Sequence, residues 1–129
     1  MGAQDGRQLI ESIFAGGMLE LDPAQEYEIR HPDFVMEMPQ SGERVRGRDN
    51  MRAMQEAFPK PPMGRLRRVT GGGDVWVAEG VNDYGDDVWH WVIVVELKDG
   101  RILSETRYYG QPFPAPEWRA AWVEPMTDS

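Results

Sequence analysis

Apolar residues near the start of the chain fall at helical spacing. Leu9, Ile10, Ile13, Phe14 and Met18 form one stripe, which predicts a helix over residues 7–21. Gly16 and Gly17 weaken its second half. "DPAQ" then opens a second helix, with Asp22 as N-cap, Pro23 at the first helical position and Gln25 at the capping-box position. That helix ends near His31, because Pro32 disfavours helical geometry in the residue before it. "FVMEMP" (residues 34–39) and "RVRG" predict two short strands joined by a "QSGE" turn. Asp49 then caps a third helix whose Met51, Met54 and Phe58 share a face, and "PKPP" (residues 59–62) stops it.

Past Pro62 the period changes from helical to two. "GRLRRVT", "DVWVAEGVN", "VWHWVIVVELK" and "RILSETRYY" read as four strands rich in Val, Ile, Trp and Tyr, joined by "GGG", "DYGDD" and "DG" turns. Helices fill the first half and an antiparallel meander the second. The expected fold is therefore α+β: a curved antiparallel sheet of about six strands wrapped around three N-terminal helices. The 129 residues form one domain, 1–129, able to bury roughly two-thirds of its unfolded surface.

The longest strand has two largely apolar faces. Trp89, Trp91, Ile93, Val95 and Leu97 share one; Val88, His90, Val92, Val94 and Glu96 share the other. Both are expected to be covered, one by the helices and the other by a second copy of the chain. Two Trp residues on the first face suit either a wide interior pocket or a plain core. In the last strand Leu103, Glu105, Arg107 and Tyr109 alternate with Ile102, Ser104, Thr106 and Tyr108, and neither row is cleanly apolar. Glu79 lies in line with Val75, Val77 and Val81. It is either on the solvent side or a buried acid in need of a partner such as Arg107 or Tyr109.

Composition narrows the function classes. A net charge of −8 argues against binding a phosphate backbone, and the one basic cluster, "RLRR", reads as a solvated sheet edge. With no cysteine, disulfides, zinc-thiolate sites and thiol nucleophiles are excluded, and a cytoplasmic location is expected. No signal peptide or membrane span is expected from the pattern of the N-terminus and the apolar runs. "YGDD" matches a polymerase metal hairpin, yet Gly and Asp are what any hairpin turn requires. With only His31 and His90, a histidine-rich metal site cannot form, and "HPD" reads as a loop or cap.

The element order, with "HPDFVMEMPQSGERVRGRDNMRAM" and "VVELKDGRILSETRYYGQPFPAPEWRAAW", resembles the SnoaL-like branch of the nuclear transport factor 2-like, cystatin-like α+β superfamily. The resemblance spans residues 9–122. It implies a cone-shaped fold enclosing an apolar pocket, in a homodimer formed through the outer sheet face, and it places Leu103, Glu105, Arg107 and Tyr109 toward the pocket. Family chemistry transfers less well. The position of the ketosteroid isomerase base corresponds to Met38, that of its oxyanion-hole acid to Ile93, and that of the cyclase acid to Arg107. The Arg-Asp-Asp set of the epoxide hydrolases is not evident.

Two readings result. In the first, the chain is a cofactor-independent isomerase, cyclase, dehydratase or hydrolase acting on a small apolar or carbonyl-bearing molecule without a metal. Phe34, Met36, Met38, Met54, Trp89, Trp91 and Ile93 would line its pocket, with Tyr27 at the mouth. Glu79 or Glu105 would be acid/base, Arg107 would bind an oxygen and Tyr109 would donate a hydrogen bond. In the second, the chain is a noncatalytic ligand-binding or dimerisation module in which Glu105 and Arg107 form a structural ion pair. The tail "QPFPAPEWRAAWVEP" is expected to form a short helix over residues 116–122, packed on the body or on a partner subunit.

Overall fold

A computed structural model describes residues 3–14, 23–57 and 63–126. Three helices and six strands follow in chain order: α1 (Ala3–Phe14), α2 (Pro23–Ile29), β1 (Arg30–Met38), β2 (Glu43–Arg46), α3 (Arg48–Ala57), β3 (Met63–Gly72), β4 (Val75–Asp83), β5 (Val88–Lys98) and β6 (Arg101–Gly110). A 3-10 turn, η1 (Glu117–Trp122), stands at the start of the tail's end. Gly16, Gly17, Met18, the Asp22 cap, Phe58 and the "PKPP" stop lie outside the described residues. Helix α3 starts at Arg48, one residue before the expected cap at Asp49.

The sheet runs β2-β1-β6-β5-β4-β3 and is open. Four of its five pairings are antiparallel, but β1 and β6 run parallel. The all-antiparallel expectation is corrected here for a topological reason. The meander returns its last strand to the middle of the sheet, beside the first strand, and the helical crossover sets both in one direction. The β5–β6 hairpin closes on Asp99 and Gly100, with φ of 54° and 75°; two successive positive values match the right-handed twist of the strands.

Register explains the mixed pattern of β6. Trp91, Ile93 and Val95 of β5 face Tyr109, Arg107 and Glu105, and these six side chains share the inner face of the sheet. A bulge follows: Glu96 pairs with Ser104 but Leu97 with Ile102, leaving Leu103 as the extra residue. The alternation therefore flips, and Ile102, expected outside, is fully buried, whereas Leu103 is only partly covered. A second bulge at Arg67 sets Arg68 opposite Glu79. Both bulges increase local twist and help bend the sheet.

The core fills the concave side. Ile10, Ile13 and Phe14 of α1 meet Val69, Trp76, Ala78 and Trp91, while α3 adds Met51 beside Phe34 and Met36. Arg7 fastens α1 by donating to the Val69 carbonyl at 2.8 Å and stacking over Trp76 at 5.4 Å. Gly80, opposite Trp91 in the ladder, lets the indole lie against the β4 backbone; a Cβ there would collide with the ring. Among the described residues, nothing covers the convex side. Val75, Val92 and Tyr108 stand exposed on it, with Val77, Val81 and Val94 half-buried around them.

Candidate functional site

The inner row of β6 carries charge into the core. Glu105 is fully buried, and its Oε1 accepts from Arg107 Nε at 2.8 Å and Nη2 at 2.5 Å. Its Oε2 accepts from Arg30 Nε at 3.4 Å and Nη2 at 3.3 Å. Arg30 sits where α2 becomes β1, itself buried, and reaches back to Glu26 at 3.0 Å and to Gln55 at 3.3 Å. Gln55 completes the circuit by donating to Glu26 at 2.9 Å. Two guanidinium and two carboxylate groups balance, so the network is neutral as a unit.

That balance sets protonation. Burial pushes the Glu105 carboxyl upward, but the charges of Arg107 and Arg30, with the hydrogen bonds from both, outweigh it and hold it below the ordinary carboxylate value. Burial likewise works against a charged Arg107, and Glu105 beside it keeps the guanidinium charged. An acid held ionised this way cannot deliver a proton near neutral pH. Glu105 is therefore held as an ionised partner of Arg107 and Arg30 and is not poised as a proton donor.

Where the row reaches the sheet's open end, a cavity of about 680 Å³ begins. Arg107 and Tyr109 supply its polar end; Met38 contributes from the end of β1, Gln40 and Ser41 from the β1–β2 turn, Tyr84 and Asp87 from the β4–β5 connection, and Trp89 from the start of β5. Arg107 Nη1 donates to the Tyr109 hydroxyl at 3.4 Å. That hydroxyl is thus an acceptor on one side, and its own hydrogen has no acceptor among the described residues. A guanidinium behind a phenol makes the phenol a better donor. Gln40 Oε1 accepts from the Tyr109 backbone N–H and ties the turn to the strand. Across the opening, Asp87 accepts from the Trp89 indole and from the Gln111 amide, both at 2.8 Å.

Of the residues expected at the site, the structure gathers Met38, Trp89, Arg107 and Tyr109 around the cavity. Phe34, Met36, Trp91 and Ile93 are instead consumed by the core. Tyr27 does not guard the mouth; it lies under Arg48 at 4.1 Å and Arg52 at 5.6 Å, away from the cavity lining. Met54 is exposed on α3. Glu79 is on the convex face, where the β4 alternation puts it, and pairs with Arg68 through bonds of 2.7 and 3.1 Å. Those bonds lower its pKa, so it is ionised and outside the pocket. Tyr84 and Asp87 were legible only as a turn, since hairpin composition gives no sign of what a turn overhangs.

No metal site emerges among the described residues: no three His, Cys, Asp or Glu side chains come together. His31 closes a local loop, accepting from the Asp33 backbone N–H at 3.0 Å.

No protein-family model and no curated protein matches the sequence. Solved structures do. A nuclear transport factor 2-like protein of unknown function from Burkholderia xenovorans is 29% identical, with 95% of this chain and 96% of that one covered at a TM-score of 0.83. A candidate ketosteroid isomerase from Kribbella flavida is 20% identical over 96% of this chain and 91% of that one, at a TM-score of 0.81. A nuclear transport factor 2-like protein of unknown function from Mesorhizobium loti is 22% identical over 84% and 89%, at a TM-score of 0.65. A curved mixed sheet closed on one side by helices, with a cavity at its open end, defines the cystatin-like α+β class. Within that class, the chain shares the nuclear transport factor 2-like fold of these structures.

Proposed function

We propose that the chain binds a small, mostly apolar molecule in this cavity through an acceptor oxygen, held by the Tyr109 hydroxyl with Arg107 behind it. The observation that carries the reading is the phenolic O–H with no acceptor of its own among the described residues, backed by a charged guanidinium and opening onto Met38, Tyr84 and Trp89. A donor of that kind at the end of an apolar cleft fixes a carbonyl-type oxygen. Binding, rather than acid/base catalysis by Glu79 or Glu105, is favoured because neither carboxylate lines the cavity: one is paired with Arg68 on the convex face and the other is locked between Arg107 and Arg30. Chemistry on a bound carbonyl would have to use Tyr109 as the electrophile.

The test is a titration of small ketones and esters followed by Trp fluorescence and ligand-observed NMR. Tyr109→Phe should weaken binding about three- to tenfold, the worth of one hydrogen bond. Equal affinity in the two proteins would remove Tyr109 from the site.

The convex face is proposed to pair with a second copy of the chain. Exposed Val75, Val92 and Tyr108 support this, as does the tail, where Trp118 and Trp122 are 74% and 79% exposed. The tail does form its expected short helix, as a 3-10 turn, but it does not cover the body of its own chain. Sedimentation velocity should show a dimer that Val92→Asp dissociates. A monomeric parent protein at high concentration would end this proposal. No helix among the described residues is long and apolar enough to cross a membrane.

A further inference from the structure

We infer that the ligand carries one positive charge: an alkylammonium group lodged at the mouth of the cavity, with a neutral carbonyl oxygen at the Tyr109 end. This rests on the reading of the cavity as a binding site and adds the class of molecule it takes. Charge bookkeeping around the cavity is the starting point. Arg107, the cation of the lining, is already matched by Glu105, and Arg30 by Glu26, so the polar end offers hydrogen bonds without net charge. A ligand carboxylate there would face Glu105 across a single guanidinium. A neutral oxygen meets no such opposition.

The mouth is different. Asp87 is the carboxylate of the lining, and among the described residues its two oxygens receive only neutral donors, the Trp89 indole and the Gln111 amide. Among the described residues it has no cationic partner. A neutral ligand filling the cavity would strip water from this carboxylate and return nothing. An organic cation would offset that loss, and the aromatic side chains of Tyr84 and Trp89 stand on the same lining to meet it. A metal ion is a poorer fit, because a hard cation needs several oxygen ligands and one carboxylate supplies too few. The net charge of −8 draws cations toward such a cleft at low salt.

Acetylcholine and its uncharged isostere 3,3-dimethylbutyl acetate share shape and ester, and differ in the charge of one central atom. Titrated into the intact protein at equal ionic strength, acetylcholine should bind about tenfold more tightly, the scale of a desolvated cation–aromatic contact joined to an ion pair. Asp87→Asn should erase most of that preference by weakening acetylcholine while the isostere binds as well or more tightly, and Tyr109→Phe should weaken both esters alike. 2-(Dimethylamino)ethyl acetate, titrated above and below its own pKa, separates a quaternary head from a protonated one; either supports a cation. Equal or tighter binding of the neutral isostere overturns the inference while the cavity reading stands. If neither ester binds at millimolar concentration, while a simple ketone does, the inference alone fails. If nothing binds, both fail.

Discussion

Two Glu–Arg pairs of the sheet have the same chemistry and opposite settings. Glu105 with Arg107 and Arg30 lies on the concave face, out of water; Glu79 with Arg68 lies on the convex face, where the Arg68 side chain is half exposed. Both carboxyls are held below their ordinary value, but for different reasons. In Glu79 a hydrogen bond from one exposed arginine leads, and solvent screens most of its worth. In Glu105 the opposing burial is the largest influence, and two guanidinium groups are needed to overcome it. A buried pair is costly to form and far costlier to break, because removing one partner strands the other's charge.

The largest expected effect follows from that asymmetry. Glu105→Gln should leave Arg30 and Arg107 without their shared counter-charge and cost about 3–5 kcal/mol in urea unfolding. Glu79→Gln, measured the same way, should change little and respond to added salt. Similar losses in the two variants would mean that burial does not distinguish the pairs. Next comes Gly80→Ala, which forces a methyl into the Trp91 ring on the concave side; about 1–3 kcal/mol should be lost. Val81→Ala, its neighbour on the convex side, should cost less, and the reverse order would contradict the assignment of the faces.

Acid provides a third comparison. The folded-state pKa of Glu105 lies below its ordinary value near 4.5, so its contribution to stability is fully present above that value. It is lost as pH falls from there toward the lowered folded pKa, where the unfolded chain binds the proton first. Stability should thus decline with acid in that window, and Glu105→Gln should flatten the decline. Whatever slope persists belongs in part to Glu79, whose shift has the same sign, and salt should reduce it. The smallest effect is that of Tyr109→Phe on folding. Its hydroxyl accepts one long bond at 3.4 Å, so unfolding should barely change even as ligand affinity falls. A large stability loss would make Tyr109 structural rather than a binding donor.

Much of the fold was legible because strands and hairpins are local. The alternation of Trp89, Trp91, Ile93, Val95 and Leu97 gave β5 and its inner face directly, and "DG" gave its turn. The family resemblance supplied the inward direction of Glu105, Arg107 and Tyr109, which the backbone shares. Ile102 and Leu103 were inverted because a bulge is settled by the neighbouring strand's register and not by the residues that form it. Asp87 stayed hidden inside a turn motif for a similar reason: what a turn overhangs is set by strands remote in sequence.

By itself, the sequence determined the order of helices and strands, the lack of thiol chemistry, the acidic surface and the apolar stock of the core. Those depend on side-chain type and on periods of two and 3.6, which act over a few residues. Only the tertiary structure decided that β1 lies parallel to β6, that Arg30 enters the core to share Glu105, and that Glu79 faces out to Arg68. It also decided that Tyr109 and Asp87 stand at one cavity. A charge acquires its role from its partner and its access to water, and in this chain both come from residues far away in sequence.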